Sequence, residues 1–287
     1  AGVSPNQNYT KFTVTPQTVP PAKKWTIDEQ GKLAEVTGGS SSSPTDKWTA
    51  LKNAVEGATE DGKIFYIEGT YTMRSNSDTI DLTKNCTIRG TGNAVLDGDS
   101  KGTMISIGSY ATQNITLENL TIKNGKNDNF TLSAYKNSEV YLKNVTVSNA
   151  KKIVNSNSGK VTFENVTARG NDSVIELGGY DTLEHGSTIY YCYLDVKGNT
   201  NIAGTVKLVF PNASDNYNGA IRICDKKSYT LTLDFGSDYN TAKDQQVVFL
   251  DNSVIGFTLA DAVKNITVKP DGGNTYSIDE SGYLRKR

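Results

Sequence analysis

The one histidine of this 287-residue sequence, His185, lies in Gly178-Gly-Tyr-Asp-Thr-Leu-Glu-His-Gly-Ser187, close to Tyr180, Asp181 and Glu184. Tyr190 and Asp195 follow in the next strand-like run. Rings, carboxylates and an imidazole in one loop suit a sugar: rings stack on its C–H faces, and the polar groups bond its hydroxyls. An ordinary solvated loop has the same composition. Glycoside hydrolysis needs two carboxylates about 5–10 Å apart, and nothing in this loop specifies such a pair. The expectation is a carbohydrate contact through Tyr141, Tyr180, Asp181, Glu184, His185 and Tyr190, with no catalytic residue.

Strands have to hold those side chains. Four stretches align without gaps, 114–125, 139–150, 160–171 and 188–199, with starts 25, 21 and 28 residues apart. Repetition at that period signals a solenoid. Apolar and polar residues alternate in each stretch, and in the first three Asn119, Asn144 or Asn165 intervenes before alternation resumes. Period two is strand geometry. The Asn reads as a corner, because it tolerates left-handed torsions and its amide can bond the same amide one repeat away. Two short strands, a corner and a variable loop make one coil of a parallel β-helix. Strand-like runs between 60 and 270 extend the pattern to about nine or ten coils. A leucine-rich repeat competes by period, but Leu is scarce and no coil offers its helix. A β-sandwich is the second alternative, weakened by the rarity of Asn-Gly hairpin signals.

The alignment predicts three outward columns: Glu118, Lys143, Glu164, Cys192; Thr116, Tyr141, Thr162, Tyr190; and Thr121, Thr146, Thr167, Asp195. The first reads as a surface charge ladder worth a few tenths of a kcal/mol per pair. Thr and Tyr in the others are good strand formers, and rings repeated at the coil rise would also track a polymer. Cys86, Cys192 and Cys224 sit in strand-like runs without metal-ligand spacing, so they read as packing thiols and no metal is expected.

One helix is expected at 46–59, where Trp48, Leu51, Val55 and Ala58 recur at helical spacing after an Asp, with Asp61-Gly62 closing it. It would serve as a lid on the first coil, whose apolar core and strand edge otherwise lie open. Residues 1–45 read as an extended segment with a Gly/Ser joint, and 46–287 as the β-helix with its capping helix. Trp25-Thr-Ile-Asp-Glu-Gln-Gly-Lys-Leu33 matches Tyr276-Ser-Ile-Asp-Glu-Ser-Gly-Tyr-Leu284. Both read as strand, turn, strand, able to pair with each other or to cap opposite ends.

Composition narrows the classes. Thirty Lys+Arg against 31 Asp+Glu leave a net charge of −1, which excludes a basic nucleic-acid binder. No apolar run approaches the roughly 18 residues of a membrane helix. About 33 threonines and 27 asparagines suit a slender solenoid with a narrow core and a large surface. The start Ala1-Gly2-Val3, without an initiator Met, reads as a chain from which an export signal has been removed.

The repeats, the helix-then-strand start at 48–69 and the Thr87-Ile-Arg-Gly90…Val95-Leu-Asp-Gly98 turn resemble the right-handed parallel β-helix proteins of the pectin-lyase-like superfamily. The closest likeness is to bacterial secreted and cell-surface members, and it covers roughly 46–270. It implies the fold and leaves the activity open, since lyases, hydrolases, adhesins and phage spikes share this coil. The lyase pattern R-x-P-x-x-R is absent, and none of the six arginines has a Pro in register. The Asp-Asp pair and Gly-His-Gly of polygalacturonase-like members are absent too. The resemblance therefore implies an exported or cell-surface, adhesin-like protein that needs no cofactor and binds a polysaccharide or a host or neighbour-cell macromolecule. A lyase or hydrolase with an unfamiliar site near residues 178–195 is the alternative.

Overall fold

The computed structural model describes residues 25–27, 32–35, 46–108, 112–135, 138–169, 174–180, 190–210 and 216–287. The chain is all-β, with one 21-stranded sheet system in which nearly every pairing is parallel. Eight strands stack in succession along one face: Lys63–Ile67, Cys86–Gly90, Asn114–Lys123, Glu139–Ser148, Lys160–Glu164, Tyr190–Lys197, Asn216–Ile223 and Val248–Leu250. Partners are separated by 21 residues at Glu139↔Lys160 and by 33 at Val161↔Leu194. Among the described residues this face has eight rungs, where the repeat spacing predicts nine or ten, because loops lengthen several rungs beyond the spacing of the clearest repeats. The arrangement is compatible with a β-helix.

Alternation buries one side of every strand. Ile88, Leu117, Leu142, Phe163, Val196 and Ile223 pair in sequence through the stack, each with 0–1% of its surface exposed. A second buried column runs Ile105, Leu132, Val154, Ile175, Val206 and Leu233. Each such side chain contributes about 1.5–3 kcal/mol of burial, so like-on-like stacking holds the rungs in register. A slip of one residue would turn every apolar group outward.

The corners behave as their residue types dictate. Asn119, Asn144 and Asn165 adopt φ of 56°, 52° and 55°. Asn144 Nδ2 donates to Asn119 Oδ1 at 2.8 Å, and Asn165 Nδ2 to Asn144 Oδ1 at 3.0 Å. A second ladder, not singled out in the sequence, joins Asn149 to Asn124 at 3.3 Å and Asn124 to Asp97 at 2.9 Å.

The helix spans Lys47–Glu56, with Asp46 capping it by accepting from the Thr49 N–H at 3.0 Å. It stops at Gly57, whose N–H donates to Asn53 O, rather than at Asp61-Gly62. Trp48, Leu51 and Val55 are buried and continuous with the rung core, and the Trp48 indole N–H donates to Asp78 O at 2.7 Å. No helix among the described residues is long and apolar enough to cross a membrane. The two matching nonapeptide motifs both begin antiparallel hairpins: Trp25–Ile27 with Leu33–Glu35, and Tyr276–Ile278 with Leu284–Lys286.

Candidate functional site

The outward residues of the eight-strand face form columns of charged, hydroxyl and aromatic side chains. Their register corrects the sequence alignment of the fourth repeat. Glu164 pairs with Lys197, not Cys192, and Thr162 pairs with Asp195, not Tyr190. Five residues is an odd slip, so it exchanges inner and outer faces. Cys192 is accordingly buried, its thiol 2.8 Å from Gly159 O and 3.2 Å from Ser156 O. The column beyond the corner continues from Thr167 to Asn201, not Asp195.

With that correction the charge column runs Arg89, Glu118, Lys143, Glu164, Lys197 and alternates in sign throughout. Arg89 Nε lies 2.8 Å from Glu118 Oε2, and Lys143 Nζ lies 3.9 Å from both Glu118 and Glu164. The neighbouring column runs Thr116, Tyr141, Thr162, Asp195, Arg222, Phe249. Arg222 grips Asp195 with two bonds, Nε to Oδ1 at 2.8 Å and Nη2 to Oδ2 at 2.7 Å. Lys160 adds a third cationic contact to Asp195 at 3.6 Å and reaches Glu139 at 2.8 Å. The Asp195 side chain is only 3% exposed. Bonding to Asp195 keeps the Arg222 guanidinium protonated even further above its ordinary range.

Aromatic rings flank this pair. Tyr191, Tyr193 and Phe249 lie 5.1–5.7 Å apart by ring centroid, with Phe249 set edge-on to both tyrosines. The Arg222 guanidinium sits 4.9 Å from the Tyr193 ring centre, and the Lys197 ammonium 5.8 Å from that of Tyr141. All four rings are half-buried. Burial raises the Tyr193 phenol above its ordinary pKa, against the opposing pull of Arg222. Burial, with the Glu164 carboxylate it bonds, also raises Tyr141. These phenols stay protonated donors at neutral pH.

Of the six residues expected to meet a sugar, Tyr141 is on this face. Tyr180 and Tyr190 lie on described backbone, paired with Asn216 and Tyr217 respectively. Tyr190 stands five residues before Asp195 on its strand, about 16 Å along it, so it is outside the column that holds Tyr141. Asp181, Glu184 and His185 lie outside the described residues. Sequence reasoning missed Tyr193, Arg222 and Phe249; the signal available was the alternation Tyr191, Tyr193, Asp195, Lys197, legible once Gly198 is taken as the corner.

A shallow groove of about 420 Å³ lies on the adjoining face, beside the first Asn ladder, between the Gly92–Val95 turn and Thr121, Asn144 and Thr146. Among the described residues no three His, Cys, Asp or Glu side chains gather as metal ligands. Comparisons with protein-family models, with curated proteins and with solved structures return no match.

Proposed function

We propose that the chain is a right-handed, single-stranded parallel β-helix of the pectin-lyase-like kind. In this reading it is exported to the outside or surface of a bacterial cell and binds polysaccharide there without cleaving it. The observation that carries the binding reading is the Tyr191, Tyr193 and Phe249 cluster beside the Asp195–Arg222 pair. Half-buried rings at the edge of a charge-compensated face offer apolar area for sugar C–H groups, with donors alongside for hydroxyls. The charge pattern supports binding over cleavage, because Glu118, Glu139, Glu164 and Asp195 are each paired with a cation within 4.0 Å.

The test is a glycan array and a polysaccharide-turnover assay on the intact chain. Retention of a polysaccharide without new reducing ends or unsaturated uronate is expected. Tyr193→Ala should weaken retention about tenfold, the scale of one aromatic contact of ~1–1.5 kcal/mol. Appearance of either product would overturn the binding reading in favour of a lyase or hydrolase, and variants at residues 178–195 would then test whether its site lies there.

A further inference from the structure

The two hairpins agree beyond their shared Ile-Asp-Glu-x-Gly-x-Leu core. Trp25↔Glu35 and Ile27↔Leu33 in the first correspond to Tyr276↔Lys286 and Ile278↔Leu284 in the second, pair for pair. The residue before the shared Leu forms a β-bridge to the stack in both, parallel in the first hairpin and antiparallel in the second. Lys32 bridges to Tyr66 on the first rung, and Tyr283 bridges to Gln246 beside the last. One motif therefore meets the stack at both ends, in two different orientations.

In the acceptor at the last rung, Gly282 O accepts from the Val247 and Val248 N–H groups at 2.9 and 3.1 Å. Leu284 O accepts from Asp244 N at 2.9 Å, while Leu284 N donates to Gln245 O at 3.0 Å. Leu284 is fully buried, and Tyr276 packs its ring 4.6 Å from that of Tyr239. Gly282 has φ +82°, and a Cβ there would meet Val248 O at 2.1 Å, so the acceptor demands glycine. The first motif supplies what this acceptor selects: Gly31 for Gly282, Leu33 for Leu284 and Trp25 for Tyr276. It lacks one feature, since Ala34 stands where Arg285 pairs with Asp279 at 2.8 Å and Asp244 at 2.5 Å. The resident hairpin thus holds its site against the other by an ion-pair set and by being tethered.

We propose that the C-terminal end of the stack is an acceptor for this hairpin motif. Release of Tyr276–Lys286 then opens it to the N-terminal hairpin of a second copy of the chain, joining copies head to tail. The N-terminal hairpin meets its own first rung at the Lys32↔Tyr66 bridge and also lies with Trp25–Ile27 against the lid helix, so the exchange trades those contacts for the ones the last rung offers.

The test compares full-length wild type, Leu284→Asp, and Leu284→Asp combined with Leu33→Asp by sedimentation over a concentration series, with far-ultraviolet circular dichroism to confirm the β-fold. Leu284→Asp should double or further multiply its mass with concentration at levels where wild type does not, and adding Leu33→Asp should return it to the monomer. If Leu284→Asp loses its β-signal, Asp279→Ala/Arg285→Ala releases the hairpin without charging the core and is read in the same way. A folded, released variant that stays monomeric overturns the proposal. So does association that Leu33→Asp leaves unchanged.

Discussion

Asp195 shows how a single residue ties the charge columns to the aromatic cluster. Its carboxylate is nearly enclosed, and Arg222 supplies two of its hydrogen bonds while stacking on Tyr193. Arg222→Ala leaves that carboxylate with Lys160 as its remaining cation, 3.6 Å away. Breaking a fully buried pair costs ~3–5 kcal/mol. Arg222 is 31% exposed, so about 2–3 kcal/mol is expected here once solvent screening is allowed for. Urea denaturation of Arg222→Ala, Asp195→Ala and the double variant measures it; strictly additive losses would sink the coupling. This residue also marks where the sequence was hard to read. Tyrosine is amphipathic, so the run Tyr190, Tyr191, Cys192, Tyr193 alternates plausibly in either register, and its corner takes the left-handed torsion on Gly198 instead of on an Asn. The repeats at 114 and 139, each with an unambiguous Asn corner, keep one register on both sides of it, from Asn114↔Glu139 to Lys123↔Ser148.

At the scale of the element, the corners carry specificity that burial alone does not. Asn144 combines φ of 52° with amide bonds to both neighbouring rungs. Asn144→Ala loses those bonds and forces a Cβ-bearing residue without a compensating side chain into the left-handed region, at a cost of about 2–3 kcal/mol. Asn144→Gly loses the same bonds but accepts the torsion, so it should be the milder change by about 1 kcal/mol. Equal midpoints for the two variants in chemical denaturation would refute the torsional part of this account. The helix was legible from its apolar spacing and Asp cap, and Trp48, Leu51 and Val55 are all buried as that spacing requires. Its end was misplaced because Gly57 stops it one turn before the Asp61-Gly62 signal.

Over the whole molecule, alternating charges recur on more than one face. Glu176, Lys207, Asp234 and Lys269 form a second outward column, with Lys207 bonding Glu176 and Lys269 bonding Asp234, each at 2.8 Å. Stability should follow the aspartates that fold into such settings. Burial pushes Asp97 and Asp234 upward. Bonds from Asn124 and the Asp99 N–H for the first, and from Lys269 and the Gly236 N–H for the second, more than reverse this, so both sit below the usual carboxylate range. A folded-state pKa below the unfolded value of about 3.9 means the contribution is complete above that value and disappears as pH falls through the folded one. Thermal midpoints should therefore hold steady from pH 7 to about 5 and fall below about 4; Asp97→Asn should flatten that acid limb. An unchanged limb in the variant would place the acid sensitivity elsewhere.

One corner departs from the others and still keeps its place. Where three rungs turn on a single Asn, the next turns on Gly198 and Asn199, and the Asn199 N–H still donates to Asn165 Oδ1 at 2.9 Å. The rung gained a residue, and both the Thr167↔Asn201 and Glu164↔Lys197 pairings survived on either side of it. Corners are therefore the places where this architecture tolerates insertion. A lineage, or an engineer, can lengthen a turn there and graft new chemistry onto it while the sheets below keep their alignment.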